Sequence, residues 1–451
     1  MNGNGVTVIG GGLAGCEAAY RLAKQGIRVF LYEMRPGKST PAHSTGELAE
    51  LVCSNSLGGD LQSTPAGILK QELRMLQSLI MKCADGAKIP AGKALAVDRS
   101  VFSRLVTESL ESCGNVTIIR EEARRIPDGA VIIAAGPLMS GDMADELRET
   151  VGNYLSFFDA AAPIVTYESI DMARAYRADR YGSGSGDYIN CPMDKEQYEA
   201  FRRELVSAER AEIHDFERTT KYFEGCLPIE VMAERGIDTL RFGPMRPVGL
   251  PNPMTDKTPY AVVQLRRDNA EDTLYNLVGF QTNLRWPEQD RVFRMIPALE
   301  RAEFVRRGVM HRNSFVCAPI ALDEYLRPAR SGVTAREDLF LAGQITGVEG
   351  YVESAAMGLV AAIFAEARIT GGKAPRFPET TAIGSLLRYL REAEPATFQP
   401  MNVNLGIFPK IETGKSSTGR KKRMSKPERT AMYAERSRDD MEEFLRANIS
   451  L

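Results

Sequence analysis

A run of β-type residues, Val6-Thr7-Val8-Ile9, stops at Gly10, and a different period takes over. Cys16, Ala19, Tyr20, Leu22 and Ala23 recur at helical spacing until Gly26 ends the stripe. A second β-type run, Ile27 to Tyr32, follows and leads into the acid Glu33. The order strand, glycine turn, helix returns late in the chain. Leu339-Phe340-Leu341 runs into Gly343 and Gln344, then through Gly347, Glu349 and Gly350 to a small-residue helix predicted over 354–362. Val131-Ile132-Ile133 is a third apolar run, closed by Gly136 and Pro137. Between these segments the pattern mixes β-type runs (261–265, 275–280) with helical ones (194–212, 288–306). Gly182 to Gly186 reads as a loop tip, and helices near 383–392 and 427–446 close the chain.

The first turn, Gly10-Gly11-Gly12-Leu13-Ala14-Gly15, has the GxGxxG spacing between a strand and a helix. Gly10 permits the tight turn and Gly12 lets backbone amides approach a pyrophosphate. Gly15 lets the helix close on the strand, and the helix N-terminus supplies partial positive charge. Glu33, at the end of the second strand, stands close to the expected place, about 20 residues on, of an acid that accepts hydrogen bonds from ribose hydroxyls. FAD, NAD and S-adenosylmethionine all use such a turn. The second glycine turn, near the other end of the chain, points to FAD, with Gly343, Gln344, Gly347, Glu349 and Gly350 at the flavin end. The expected fold is α/β: a split Rossmann-like FAD-binding domain of the glutathione-reductase type, an inserted α+β domain and a C-terminal helical tail. The expected boundaries are 1–140 with 320–372, 141–319, and 373–451.

Composition narrows the class. At 451 residues, 43% hydrophobic and 26% charged, the chain has the makings of a large packed core. The 57 Lys and Arg against 59 Asp and Glu leave a net charge of −2, which excludes a uniformly basic nucleic-acid binder and makes any polyanion site local. The seven cysteines are widely scattered with no CxxC among them, and there are only three histidines. No zinc site is legible in that spacing, so no metal is expected, and the thiols read as reduced and cytoplasmic. No apolar stretch reaches membrane-spanning length, so no membrane partner is expected.

From Glu33 to Asp60 the text is very particular: EMRPGKSTPAHSTGELAELVCSNSLGGD. With GPMRPVGL (243–250), QLRRDN (264–269), GFQTNLRWPEQDRVFRMIP (279–297) and LAGQITGVEGYVESAAMG (341–358), the chain resembles the folate- and FAD-dependent tRNA (uracil-5-)-methyltransferases. The resemblance implies 5,10-methylenetetrahydrofolate as carbon donor, reduced FAD with NADPH or NADH as electron source, and a T-loop uridine of tRNA as target. A sister branch does the same chemistry on a 23S rRNA uridine, and the sequence does not separate the two.

That chemistry calls for a nucleophilic thiol, because uracil carbon 5 becomes reactive only after addition at carbon 6. Two cysteines compete: Cys53, in Val52-Cys53-Ser54-Asn55, and Cys226, in Phe223-Glu224-Gly225-Cys226-Leu227-Pro228. The resemblance places the uracil nucleophile at Cys226 and leaves Cys53 as a flavin-side partner. Cys16, Cys83, Cys113, Cys191 and Cys317 read as inert buried thiols. Arg246 and Arg266 are candidates for folate carboxylates or RNA phosphates. A structural ion pair of the 266–267 arginines with Asp268 or Glu271 weighs nearly as much. Between Lys410 and Arg429 there are eight basic residues against two acids. Arg420, Lys421, Lys422 and Arg423 are its densest stretch, a candidate phosphate-neutralising segment. Two other readings stand beside this one: an FAD oxidoreductase acting on a small metabolite, and a non-catalytic RNA-binding flavoprotein.

Overall fold

The computed structural model describes residues 5–40, 42–152, 155–160, 162–182, 186–211, 227–308, 310–329, 336–411 and 425–448. Five parallel strands form one sheet in the order Leu339–Leu341, Ala130–Ile133, Gly5–Ile9, Arg28–Tyr32, Val116–Ile119. The two glycine turns therefore leave strands of the same sheet, separated by the single strand Ala130–Ile133. Val8, Leu31, Ile132 and Phe340 are fully or almost fully buried, as expected for a parallel sheet covered on both faces.

The first helix is Leu13–Lys24, and the late one is longer than its sequence pattern, Tyr351–Thr370. They cross at contact distance. A Cβ added at Gly358 would sit 2.2 Å from the Ala14 carbonyl oxygen, and one at Gly343 would lie 2.8 Å from the Ala14 side chain. Gly358→Ala gains helix propensity but forces backbone apart, so we expect a net loss of about 1–3 kcal/mol in chemical denaturation. Unchanged stability would contradict the close crossing.

The antiparallel ribbon of Leu155–Ala160 with Met310–Phe315 carries the chain out of this unit and back. Between its strands lies a six-stranded antiparallel sheet, ordered Tyr176–Arg177, Tyr188–Met193, Ala261–Arg267, Leu274–Leu277, Ile164–Thr166, Phe304–Arg306. Val263 and Leu265 on one face join a core with Tyr198, Phe201, Phe280 and Phe293. By the alternation of strand side chains, Gln264 and Arg266 point to the other face. The helical pattern over 288–306 is not one helix. The helix spans Trp286–Phe293, and Phe304–Arg306 is a strand. Pro297 lacks an amide hydrogen and disfavours helical backbone before it, which stops the helix.

The C-terminal segment shares the core of the parallel-sheet unit through Phe398, Tyr433, Met441 and Phe444. One carboxylate ties it in. Glu72, on helix Pro65–Met75, accepts from the Ala382 and Ile383 amides (2.6 and 2.9 Å) at the start of helix Ala382–Glu392, and from the Ser437 hydroxyl on helix Lys426–Asn448. Glu17 caps helix Leu79–Gly86 in the same way, through Ser78, Leu79 and Ile80. Burial outweighs these hydrogen bonds and pushes both carboxyls up to about 7, and Glu353 to about 6. A carboxyl whose folded value is raised binds more protons folded than unfolded. Its stabilising contribution is complete below the ordinary value and is lost as pH rises through the folded one. The melting temperature is therefore expected to rise as pH is lowered from 8 to 6. A flat or opposite trend in a thermal scan would count against these assignments.

Candidate active site

A cleft of about 1060 Å³, its open mouth included, lies along the carboxyl ends of the parallel strands. Both glycine turns line it, through Gly10 to Ala14 on one side and Gly343, Gln344, Tyr351 and Ser354 on the other. At two glycines of the first turn the backbone leaves no room for a side chain. Gly10 has φ +108°, and a Cβ there would meet the Ala134 carbonyl at 2.4 Å; one at Gly15 would meet the Gly10 carbonyl at 1.8 Å. At Gly12 nothing lies within 4 Å of an added Cβ, so that face is open. Neither long helix has a side-chain cap at its N-terminus. The first turns of both helices line the cleft, and an anionic group suits a helix N-terminus. Gly10, Gly11, Gly12, Leu13 and Ala14 line one side of this cradle, whose shape would suit an elongated dinucleotide with a central pyrophosphate.

The loop after the second strand is held by a buried arginine that no local motif singles out. Arg35, 2% exposed, forks onto Glu33 (Nε to Oε1 3.0 Å, Nη2 to Oε2 3.1 Å) and reaches Glu50 (Nη1 to Oε2 3.0 Å). Glu33 also accepts from the amides of Gly11 (3.0 Å) and Arg35 (2.9 Å). Glu33 lines the cleft as expected, but each carboxylate oxygen already accepts twice. Its first role here is to lock Gly11 and Arg35 in place. Glu50 in turn accepts from the amides and hydroxyls of Ser44 and Thr45. Burial works to raise both carboxyls; Arg35 at Glu33, and the Ser44 and Thr45 hydrogen bonds at Glu50, outweigh it and hold them below the usual range. Burial and the Arg35 charge push His43 down to about 4, so its ring, 2.7 Å from the Thr40 hydroxyl, is neutral near pH 7.

Cys53 is half-buried beside the cleft. The Tyr351 oxygen accepts from the amides of Cys53 (2.8 Å) and Ser54 (3.2 Å) and lies 3.1 Å from the Cys53 sulfur. With both lone pairs engaged, the phenol proton is left to donate to sulfur. Burial, then the nearby thiol, pushes the Tyr351 hydroxyl well above its ordinary value. Arg306 donates to the Ala42 and Val52 carbonyls of the same loop.

Arg266 crosses from the inserted sheet to this loop. It is 8% exposed and donates to Ser54 Oγ (2.7 Å) and Asn55 Oδ1 (3.1 Å). The expected ion pairs form elsewhere: Asp268 pairs with Arg99 (3.0 Å), and Arg267 with Asp272 (2.9 Å). Burial is the main influence on Arg266 and lowers its pKa. Its charge thus sits behind Ser54, where it positions the Cys53 loop. Gly347, Glu349 and Gly350 shape the second turn from behind the cleft. Gly347 packs on Phe398, Glu349 accepts from Gln344 (2.6 Å), and Gly350 abuts Glu353 and Asn402. Arg246 is exposed, and among the described residues no carboxylate pairs with it. Cys226, Arg420, Lys421, Lys422 and Arg423 lie outside the described residues. Cys16, Cys83, Cys191 and Cys317 are buried, as inert thiols should be, while Cys113 is half-buried. Among the described residues, no group of His, Cys, Asp or Glu is placed to hold a metal ion, and no helix is long and apolar enough to cross a membrane.

Comparison with known proteins agrees with this geometry. The family profile described as glucose inhibited division protein A matches residues 5–373. The methylenetetrahydrofolate–tRNA-(uracil-5-)-methyltransferase TrmFO of Acetivibrio thermocellus is 58% identical over 405 residues, 89% of this chain and 92% of its own. The protein of the same name from Natranaerobius thermophilus is 54% identical over 442 residues, 98% of this chain and 99% of its own. Among solved structures, Aquifex aeolicus GidA superimposes with a TM-score of 0.67 at 18% identity, over 99% of this chain and 74% of that one. At that identity the likeness speaks for the fold.

Proposed function

We propose that this chain, which belongs to the family of methylenetetrahydrofolate–tRNA-(uracil-5-)-methyltransferases, methylates carbon 5 of a tRNA uridine with methylenetetrahydrofolate as carbon donor and FAD as redox cofactor. The observation that carries the reading is the two-sided glycine cleft with Cys53 at its edge, in a chain more than half identical to those relatives. When bound and reduced, FAD supplies the electrons that complete a transferred methylene to a methyl group.

The chain's own residues do the rest. Gly10 to Ala14 bind the cofactor phosphates, and the Glu33–Arg35–Glu50 network keeps that turn rigid. Tyr351 holds the Cys53 loop through the Cys53 and Ser54 amides, and Arg266 holds it through the Ser54 and Asn55 side chains. The Cys226 thiolate adds to uracil carbon 6, which makes carbon 5 nucleophilic toward the one-carbon unit. After loss of the carbon 5 proton the folate amine departs from the transferred carbon, and with that carbon reduced by the two electrons bound FAD would supply, the sulfur leaves carbon 6 and the 5,6 double bond is restored. We assign the target to the T-loop, the reductant to NADPH or NADH, and the setting to the cytoplasm, where these thiols stay reduced.

The test incubates the purified flavoprotein with labelled methylenetetrahydrofolate, NADPH, and transcripts of tRNA and of 23S rRNA. Label is expected in tRNA. Label in the rRNA alone would move the chain to the sister activity, and label in neither would overturn the proposal. Arg266→Ala is expected to slow transfer by about 10- to 100-fold and to disturb the flavin spectrum. Arg266→Lys should recover part of the rate, because it restores charge without the two-pronged grip on Ser54 and Asn55.

A further inference from the structure

We infer that the exposed aromatic and basic surface formed by residues 180–181 and 237–254 of the inserted unit docks an RNA segment with unstacked bases; this rests on the proposed function and names where its substrate lies. Large apolar side chains are unusually bare here. Phe242 is 83% exposed, Tyr181 68%, Met254 55% and Val248 46%. Single exposed residues of this kind are ordinary on a protein surface, but three within 242–254, with Tyr181 tied to the same stretch through Gly249, mark an interaction site.

The arrangement is built. The Arg180 guanidinium donates to the carbonyls of Arg246 (3.1 Å) and Val248, and the Tyr181 amide donates to Gly249 (2.8 Å). Tyr181 adopts φ +64°, and its ring lies so close to Gly249 that a Cβ there would stand 2.7 Å from Cε1. Only glycine lets the ring lie across that turn, so residue 249 sets where the aromatic face points. Burial, then the charge of Arg246, lowers the pKa of Arg180, which agrees with two guanidinium groups held near each other.

Charge selects the occupant. From 235 to 257 there are four basic residues and two acids, and one of those acids, Asp238, is committed to Arg241 (2.6 Å). Asp179, beside Arg180, is buried and accepts the Gly186 and Asp187 amides. In a chain of net charge −2, aromatic faces beside guanidinium groups with few acids match stacked bases and phosphates. A neutral protein face would not call for these cations.

The surface is also continuous with the reacting groups. Arg180 donates to Gln264 Oε1 (2.8 Å), Gln264 lies two residues from Arg266 on the same strand face, and Arg266 reaches Ser54 (2.7 Å) beside Cys53. Along the chain, one short helix, Ile229–Glu234, separates Cys226 from the helix Thr239–Phe242 that carries the bare ring.

The experiment compares the full-length flavoprotein with Phe242→Ala, Tyr181→Ala and Arg246→Ala. A tRNA transcript is titrated by fluorescence anisotropy at several salt concentrations, and methyl transfer is followed with labelled folate. The two aromatic variants are expected to weaken tRNA binding about tenfold or more each, with the loss of transfer appearing in the KM for tRNA. Arg246→Ala is expected to lower the slope of log K against log salt by about 0.7–0.9, with the KM for folate unchanged. Thermal scans and flavin absorbance establish that each variant is folded. Unchanged tRNA affinity in all three folded variants overturns the inference while leaving the proposed function intact. A wild type that binds tRNA through this surface yet transfers no label leaves the surface standing and overturns the function. A wild type that binds no tRNA overturns the surface directly. A wild-type dimer that Phe242→Ala dissociates, with tRNA affinity unchanged, overturns it in favour of a second copy of the chain.

Discussion

Arg35→Ala is expected to release bound flavin and to destabilise the fold by about 3–5 kcal/mol, the cost of leaving buried charges without their partner. Arg35 is 2% exposed and stands between two largely buried carboxylates, Glu33 and Glu50. Removing it strands both and frees the loop that holds Gly11. The pH dependence has a definite sign. Glu33 and Glu50 lie below their ordinary values in the folded protein. Their contribution is therefore present above the ordinary carboxylate range and lost as pH falls through the folded values. Without Arg35 the folded values rise, so the variant's deficit is largest near pH 7.5 and shrinks toward pH 5. Arg35→Lys should fall between, since lysine restores a charge but not a fork spanning both acids. Denaturant titrations at the two pH values, with the ratio of flavin to protein absorbance, measure all of this. A cost under about 1 kcal/mol at pH 7.5, with flavin retained, would show the network to be dispensable.

Cys226→Ala is expected to lower methyl transfer by several orders of magnitude while the flavin stays bound, because loss of a covalent nucleophile removes the path and not only part of its stabilisation. Cys53→Ala should behave differently. Tyr351 would keep its two amide partners but lose the sulfur, so the flavin spectrum should change along with the rate. Single-turnover transfer from labelled folate, read beside the flavin spectrum, separates the two cysteines. Full activity in Cys226→Ala, with none in Cys53→Ala, would exchange their roles.

The parts of this site that were legible beforehand are those whose chemistry is local. Gly10, Gly12 and Gly15 are set by one turn, and the φ of +108° at Gly10 leaves that position to glycine. The late turn announced itself in the same way, and its strand joins the sheet that carries the first turn. Local pattern misled where distant partners outvoted it. The period over 288–306 continues past Pro297, yet Phe304–Arg306 pairs as a strand with Ile164–Thr166. Arg35 went unremarked because its meaning lies in Glu50, 15 residues away, and Tyr351 because it touches Cys53, 298 residues away.

By itself, then, the sequence determined the glycine turns, the elements around them and the kind of cofactor they cradle, since each depends on a few consecutive residues and their backbone angles. The tertiary structure alone decided which charges meet. Asp268 is close to Arg266 in sequence but pairs with Arg99, while Arg266 reaches back to Ser54 and Asn55 in the first part of the chain. It also decided that Phe242 and Tyr181 stand in solvent. Hydrophobic periodicity states that a side chain belongs to a face. Only packing states whether another element covers that face, and here none of the described elements does.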